Sequence, residues 1–255
     1  MNRTDYWNEN YLKYWEQKVM ESNGDEQSIN KDDCKTPGDE TVCKWFDLLN
    51  VTEKKSLLDF GCGFCRFYDY FKNKKAQYYG IDISKAMIEK SKVLYPELSE
   101  QLFVSEGESL PFADNTFDFI ACFGVFDACY QDKALAELLR VLKSGGKALI
   151  TGKNNNYYID DEIAMLAEVN ARKKGHYNYF TDVSLMLEQL KTNNISIEHQ
   201  AYFLRRGDFQ TEKYIDKKPE NFYEYAFILT KNSDAQIALK PFSDAFSETF
   251  KKISS

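Results

Sequence analysis

Between residues 56 and 151 five short apolar runs alternate with longer segments of helical periodicity. The runs are SLLDF (56–60), QYYGIDI (77–83), QLFVS (101–105), FDFIACF (117–123) and KALIT (147–151). Such alternation reads as βαβ units around a parallel sheet, an α/β fold. Candidate helices lie between the runs at about 64–73, 84–95 and 131–142. The last contains ALAELLRVL and is stopped by Gly145-Gly146, a glycine signal for a helix end. Ser84 is placed to cap the helix carrying Met87, Ile88 and Lys92.

Beyond residue 151 the pattern changes. GKNNNYY reads as a polar loop, IDDEIAMLAEVNARKK as an amphipathic helix and GHYNYF as an aromatic loop, together an insertion at about 152–180. A further helix over 181–193 precedes two extended runs, 195–204 and 221–230, which pair antiparallel and close the sheet in this reading. Before the sheet, Trp7, Tyr11, Tyr14 and Trp15 fall on one helical face, with Tyr6 alongside. Residues 21–40 are polar and punctuated by Gly and Pro, as a linker is. The expected organisation is an aromatic helix and linker over 1–40, a main domain over 41–235 and a C-terminal tail or helix over 236–255.

A chain of 255 residues can bury one large core without staples. The formal charge of -7 counts against a nucleic-acid partner, since phosphate binders carry basic patches. No run of about 18 apolar residues is present, and MNRTDYWNEN lacks the apolar stretch of a secretory signal, so the expected location is the cytoplasm. Six cysteines include the pair Cys62 and Cys65. Their position inside a glycine turn, without a second knuckle, favours small buried thiols over a metal or redox centre, and no metal is expected.

The chemistry concentrates in LLDFGCGFCRF (57–67), where an acid, Asp59, ends a strand and Gly61-x-Gly63 precedes a helix. Glycine lets backbone approach a ligand closely at positive φ. Asp82 ends the next strand about 20 residues later, where a carboxylate can accept hydrogen bonds from both ribose hydroxyls. The two features mark an adenosine-type site. Arg66 occupies the third glycine position of the dinucleotide fingerprint GxGxxG, which counts against NAD or FAD. GxxxxGK[ST] is absent, which removes the simplest phosphate-loop reading.

With these residues in order, the sequence resembles the class I S-adenosylmethionine-dependent methyltransferases over about 55–151, and more loosely over 176–230. LLDFGCGFCRF resembles the first motif of that family, YYGIDISKAMI its ribose-binding acid motif, SEGESLPFADNTFDFI its adenine-side motif and LLRVLKSGGKALI the approach to its fifth strand. The resemblance implies a Rossmann-like sheet of seven mostly parallel strands with helices on both faces, an antiparallel last strand and an N-terminal helical lid. It implies S-adenosyl-L-methionine as cofactor. Asp59, Gly61 and Gly63 would surround the methionine moiety, Asp82 would hold the ribose, and Glu106 would face the adenine amino group. Gly107 would offer its N–H to adenine, Ile83 and Met87 would pack on the base, and Phe123 and Gly124 would line the methionine end. The sequence departs from the family at Cys65, where a third glycine is usual.

A sulfonium methyl group is already activated, so the protein has to align a nucleophile and exclude water. An oxygen acceptor needs a base; an amine has only to arrive neutral. His176, in a segment resembling the HxNFFTxxSLxxLL pattern of bacterial methyltransferases, and Asp127, just past the fourth strand, are the candidate bases. His199, inside an alternating strand, is read as structural. Trp7, Tyr11, Trp15, Tyr157, Tyr158, Tyr177 and Tyr179 are the candidate acceptor-side aromatics, forming a lid. The expected reaction is direct in-line transfer to O or N of a small polar acceptor such as a sugar or nucleotide-sugar, by a monomer or homodimer. A protein or RNA methyltransferase and a non-catalytic cofactor-binding module are the alternatives.

Overall fold

The computed structural model describes residues 3–13, 38–176 and 178–254. Seven strands form one sheet in the order β3-β2-β1-β4-β5-β8-β7. They are β1 (Ser56–Phe60), β2 (Gln77–Asp82), β3 (Leu102–Val104), β4 (Phe117–Cys122), β5 (Leu142–Lys153), β7 (Ile195–Phe203) and β8 (Glu224–Lys231). β1 to β5 run parallel, with Leu57 beside Tyr78 on one side and Phe119 on the other. β8 is antiparallel to both its neighbours, as expected for the last strand. β6 (Phe180–Thr181) and β9 (Ser243–Asp244) make a separate two-stranded ribbon.

Alternate residues of each central strand enter opposite cores, because successive side chains of a strand point to opposite faces. Leu58, Ile120, Cys122, Ala148, Ile150, Tyr225 and Phe227 pack on one side with helices α4 (Gln131–Val141) and α6 (Val183–Thr192). Leu57, Ala121, Leu149, Ala226 and Ile228 pack on the other with α1 (Asp39–Leu48) and α2 (Tyr68–Asn73). Tyr78 and Ile88, the latter on α3 (Lys85–Leu94), join that second layer. Helices therefore cover both faces. Among the described residues, no helix is long and apolar enough to cross a membrane.

Three local expectations change. The helix expected from residue 64 begins at Tyr68, because residues 62–68 are folded into turns in which Cys65 N–H bonds the Cys62 carbonyl at 2.8 Å and Tyr68 N–H bonds that of Cys65 at 2.9 Å. α4 ends at Val141 and Leu142 opens β5 directly, so Gly145, at φ +77°, lies within a strand and not at a helix end. There the β4–β5 register shifts between Phe117 and Phe119, and the positive φ of glycine serves the irregularity rather than a helix end. Finally, Tyr6–Tyr11 forms a wider π-type turn in place of a regular helix face. Tyr14, Trp15 and Tyr177 lie outside the described residues, as does the side chain of Tyr11.

The segment after β5 carries α5 (Glu162–Lys173), capped by Asp161, whose carboxylate accepts from Ala164 N–H at 3.0 Å. Buried Glu168 on this helix accepts hydrogen bonds from Tyr157 Oη and Ser247 Oγ, each at 2.7 Å. It thereby ties the start of α7 (Glu248–Ser254) to the inserted segment. Exposed His199 sits at a bulge on edge strand β7.

Candidate active site

The turn after β1 is held against the end of β2: Gly61 and Cys62 N–H groups both reach the Ile81 carbonyl at 2.8 Å. Gly61 stands at φ +76°, and a Cβ there would lie 2.5 Å from Val125 Cγ2, so no side chain fits. Gly63 N–H bonds Asp82 Oδ2 at 3.0 Å, and Ser84 N–H bonds Asp82 Oδ1 at 2.8 Å. Ser84 also caps α3 by accepting from Met87 N–H, as its position predicts. Cys65 adopts φ +54°, so the residue replacing the family's third glycine takes up a glycine-like backbone with its thiol fully buried.

These elements wall a cavity of about 310 Å3 at the carboxyl ends of β1, β2 and β4, where open α/β sheets bind ligands. Asp59, Gly61, Gly63, Asp82, Ile83, Met87, Gly107, Phe123 and Gly124 all line it. Glu106 does not: it is exposed, while its neighbours Ser105, Gly107 and Glu108 face the cavity. Glu108, two positions further on, is the loop acid in this wall, where its Oε1 accepts from Tyr130 N–H at 2.7 Å. Gly107 is packed so closely that a Cβ would meet Phe60 Cζ at 2.3 Å. Arg66, at the third glycine position of the dinucleotide fingerprint, does not stand outside this site. It lines the cavity instead, with its guanidinium over the Phe67 ring and 3.6 Å from the Asp39 carboxylate.

Burial pushes the Asp82 carboxyl above the usual carboxylate range, against the pull of the two backbone N–H bonds. Burial likewise pushes Asp59 up to about 6, although the Tyr78 hydroxyl donates to its Oδ2 at 2.6 Å and Arg66 is near. The fit to an adenosyl amino acid follows from these features. Asp82 has lone pairs beyond the two it gives its own loop. Gly61, Gly107 and Gly124 keep backbone exposed where a Cβ would fill the space or stand at positive φ, and Arg66 offers a cation.

The N-terminal segment closes over this cavity. Trp7 lines it, and Ser84 Oγ donates to Asn8 Oδ1 at 3.1 Å. His176 stacks on Tyr6 with ring centroids 4.9 Å apart and meets Trp7 edge-on at 5.0 Å. Burial lowers its pKa to about 4. The imidazole is therefore held neutral between Tyr6 and Trp7, and it does not line this cavity.

A second cavity, of about 470 Å3, adjoins the first across Phe123 and Gly124. Asp127, Thr151, Lys153, Ile163, Arg206, Phe209 and Glu224 contribute to its wall. Lys153 and Glu224 are direct cross-strand partners on β5 and β8. Lys153 Nζ nevertheless makes its short ion pair with Asp127. Burial disfavours the Lys153 ammonium, but Asp127 outweighs it and the pKa is raised. Of the candidate lid tyrosines, Tyr157 is core, packed on Phe180 and Tyr223. Tyr158 lies under the Arg205 guanidinium and Tyr179 against Tyr130; none of the three lines either cavity. Among the described residues, no group of His, Cys, Asp and Glu could hold a metal ion.

Residues 58–150 match the family model described as a methyltransferase domain. An uncharacterized protein of Methanocaldococcus jannaschii is 36% identical over 119 residues, 46% of this chain and 50% of that protein. The ubiquinone/menaquinone biosynthesis C-methyltransferase UbiE of Idiomarina loihiensis is 31% identical over 117 residues, 42% of this chain and 46% of that enzyme. The chain thus spans about half the length of these relatives. A protein of Haloferax volcanii solved in complex with the Trm112 methyltransferase activator superposes with a TM-score of 0.61 over 91% of this chain and 98% of its own, at 14% identity, which shows the shared fold. The glycine turn, the strand-end acids and the parallel strands β1 to β5 stand within or beside the residues 58–150 that match the methyltransferase domain, so the matched region and the first cavity coincide.

Proposed function

We propose that this protein transfers the methyl group of S-adenosylmethionine to a nitrogen or oxygen of a small polar acceptor held in the second cavity. The observation that carries this reading is the continuity of the two cavities at Phe123 and Gly124. One has the wall of an adenosyl-binding site and the other is lined by charged side chains. When bound, S-adenosylmethionine supplies an electrophilic methyl on sulfur; the protein has to orient the acceptor and keep water out. Asp82 would hold the ribose hydroxyls, Ile83 and Met87 would pack on adenine, and Gly107 would offer its N–H. Asp59, Gly61, Gly63 and Arg66 would surround the amino-acid end. Trp7 and Asn8 would exclude solvent from above.

The test is a calorimetric titration with S-adenosylhomocysteine, followed by an assay of its formation from S-adenosylmethionine. Micromolar binding is expected. Failure of the wild-type protein to bind would defeat the reading. Binding without turnover across a broad acceptor panel would favour a cofactor-binding module. A carbon acceptor with an apolar tail is the second reading. It is favoured by the C-methyltransferase name of the Idiomarina relative and by Ile163 in the second cavity, with exposed Ile159 and Leu166 near it in sequence on or next to α5. The atom that receives isotopically labelled methyl decides between the two.

A further inference from the structure

We propose that Glu224 and Arg206 recognise the acceptor between them, and that the acceptor is therefore a small amino- or hydroxy-carboxylate. This rests on the placement of the acceptor in the second cavity. Four charged side chains line that cavity: Asp127, Lys153, Arg206 and Glu224. Two of them satisfy each other, since Lys153 Nζ is paired with Asp127 and also reaches Asn178 Oδ1 at 3.4 Å. The other two are not joined. Among the described residues no hydrogen bond or ion pair reaches the Glu224 carboxylate. Among the described residues the Arg206 guanidinium has one hydrogen bond, from Nη1 to Tyr223 Oη at 2.6 Å.

A guanidinium carries five N–H donors and a carboxylate about four acceptor positions, so both groups keep most of their bonding capacity for a ligand. A buried or half-buried charge without partners is costly, and a complementary ligand removes that cost. The ligand that fits both carries an anionic group for Arg206 and an N–H or O–H donor for Glu224. Bidentate geometry makes Arg206 well suited to a carboxylate. The same donor is the nucleophile. Its nitrogen or oxygen bonds the methyl carbon as the carbon–sulfur bond breaks, the electron pair of that bond stays on sulfur, and the released proton passes to Glu224.

The neighbouring acids and bases are less suited to that proton. Asp127 is already engaged by Lys153. His176 lies outside the cavity wall, stacked on Tyr6. Burial also raises the proton affinity of Glu224, against the pull of Lys153 and Arg206, which is the direction a general base requires.

The test titrates the protein, saturated with S-adenosylhomocysteine, with L-serine, L-tyrosine, glycolate and ethanolamine. At least one carboxylate probe should bind about 10-fold or more tighter than ethanolamine, which lacks the anionic group. Arg206→Gln should abolish that preference, and Glu224→Gln should weaken the amino-carboxylate by about 10-fold, with S-adenosylhomocysteine affinity retained in both variants. If no probe binds the saturated protein, or if both variants bind the probes as wild type does, the proposal is overturned while the methyltransferase reading stands. If wild-type protein does not bind S-adenosylhomocysteine, that underlying reading falls and takes this one with it.

Discussion

The two adjoining cavities are built in opposite ways. The first is made by segments contiguous in sequence: a strand end, a glycine turn and a helix start supply Asp59, Gly61 and Gly63, and the next strand end supplies Asp82 and Ile83. Four glycines, Gly61, Gly63, Gly107 and Gly124, present backbone in its wall. The second draws four charged side chains, Asp127, Lys153, Arg206 and Glu224, from four separate places, and sets them beside Ile163 and Phe209. A site that presents backbone is fixed by the fold and tolerates few changes. A site that presents side chains can be retuned without disturbing the sheet, and in a common fold that is where specificity resides.

The strongest way to break this comparison is Asp82→Ala. It removes the carboxylate proposed to hold the ribose hydroxyls and orphans the Gly63 and Ser84 N–H groups, so affinity for S-adenosylhomocysteine should fall about 100-fold or more by calorimetry. Near-normal affinity would show that the first cavity does not depend on its strand-end acid. Next is Gly61→Ala. With a Cβ 2.5 Å from Val125 and φ at +76°, it should cost about 2 kcal/mol of stability in urea denaturation, and Val125→Ala should recover part of that loss.

A third expectation concerns the lid. His176 has a pKa of about 4 when docked and 6.5 when free, so between those values the undocked imidazole takes up a proton that the docked one refuses. Docking should weaken as pH falls, by about 1 kcal/mol at pH 5.5, read as faster hydrogen exchange at residues 6–8. Asp59 acts oppositely. Its pKa is raised from 3.8 to about 6 in the folded protein, so its burial costs stability above pH 6, and that cost fades as pH falls towards 3.8. Global stability should therefore vary less with pH than lid exchange does. Parallel loss of both would contradict a separable lid.

The smallest effect is expected at Cys65→Gly. Relief of a left-handed backbone favours the variant by about 1 kcal/mol, while loss of a buried side chain and a more flexible unfolded chain oppose it. Denaturation should place it within about 1 kcal/mol of wild type, with cofactor affinity preserved. A large loss in either measurement would mean that the thiol itself shapes the turn.

Much of the first cavity was legible because its determinants are local. Strand length, glycine spacing and a capping serine act within a few residues, and the β1–β2 pairing then brings Gly63 to Asp82. Glu106 marks the limit of that reasoning, since the loop turns Ser105, Gly107 and Glu108 into the cavity and leaves Glu106 exposed. Tyr157 marks another: a tyrosine in an aromatic loop reads as lid, but its hydroxyl finds buried Glu168 and its ring finds Tyr223. Burial with a hydrogen-bond partner is a property of the packed chain.

The sequence by itself determined the parallel sheet, its antiparallel last strand and the adenosyl side of the site, because periodicity and glycine spacing impose conformations before any distant contact forms. Only the tertiary structure decided which charged groups line the second cavity. Inserting β8 beside β5 sets Glu224 across from Lys153, while the loop after β4 brings Asp127 to take that lysine's charge. Residues 127, 153, 206 and 224 share no spacing that a helix or strand would recognise; what joins them is the pairing of β5 with β8 and the electrostatics of a half-buried cavity.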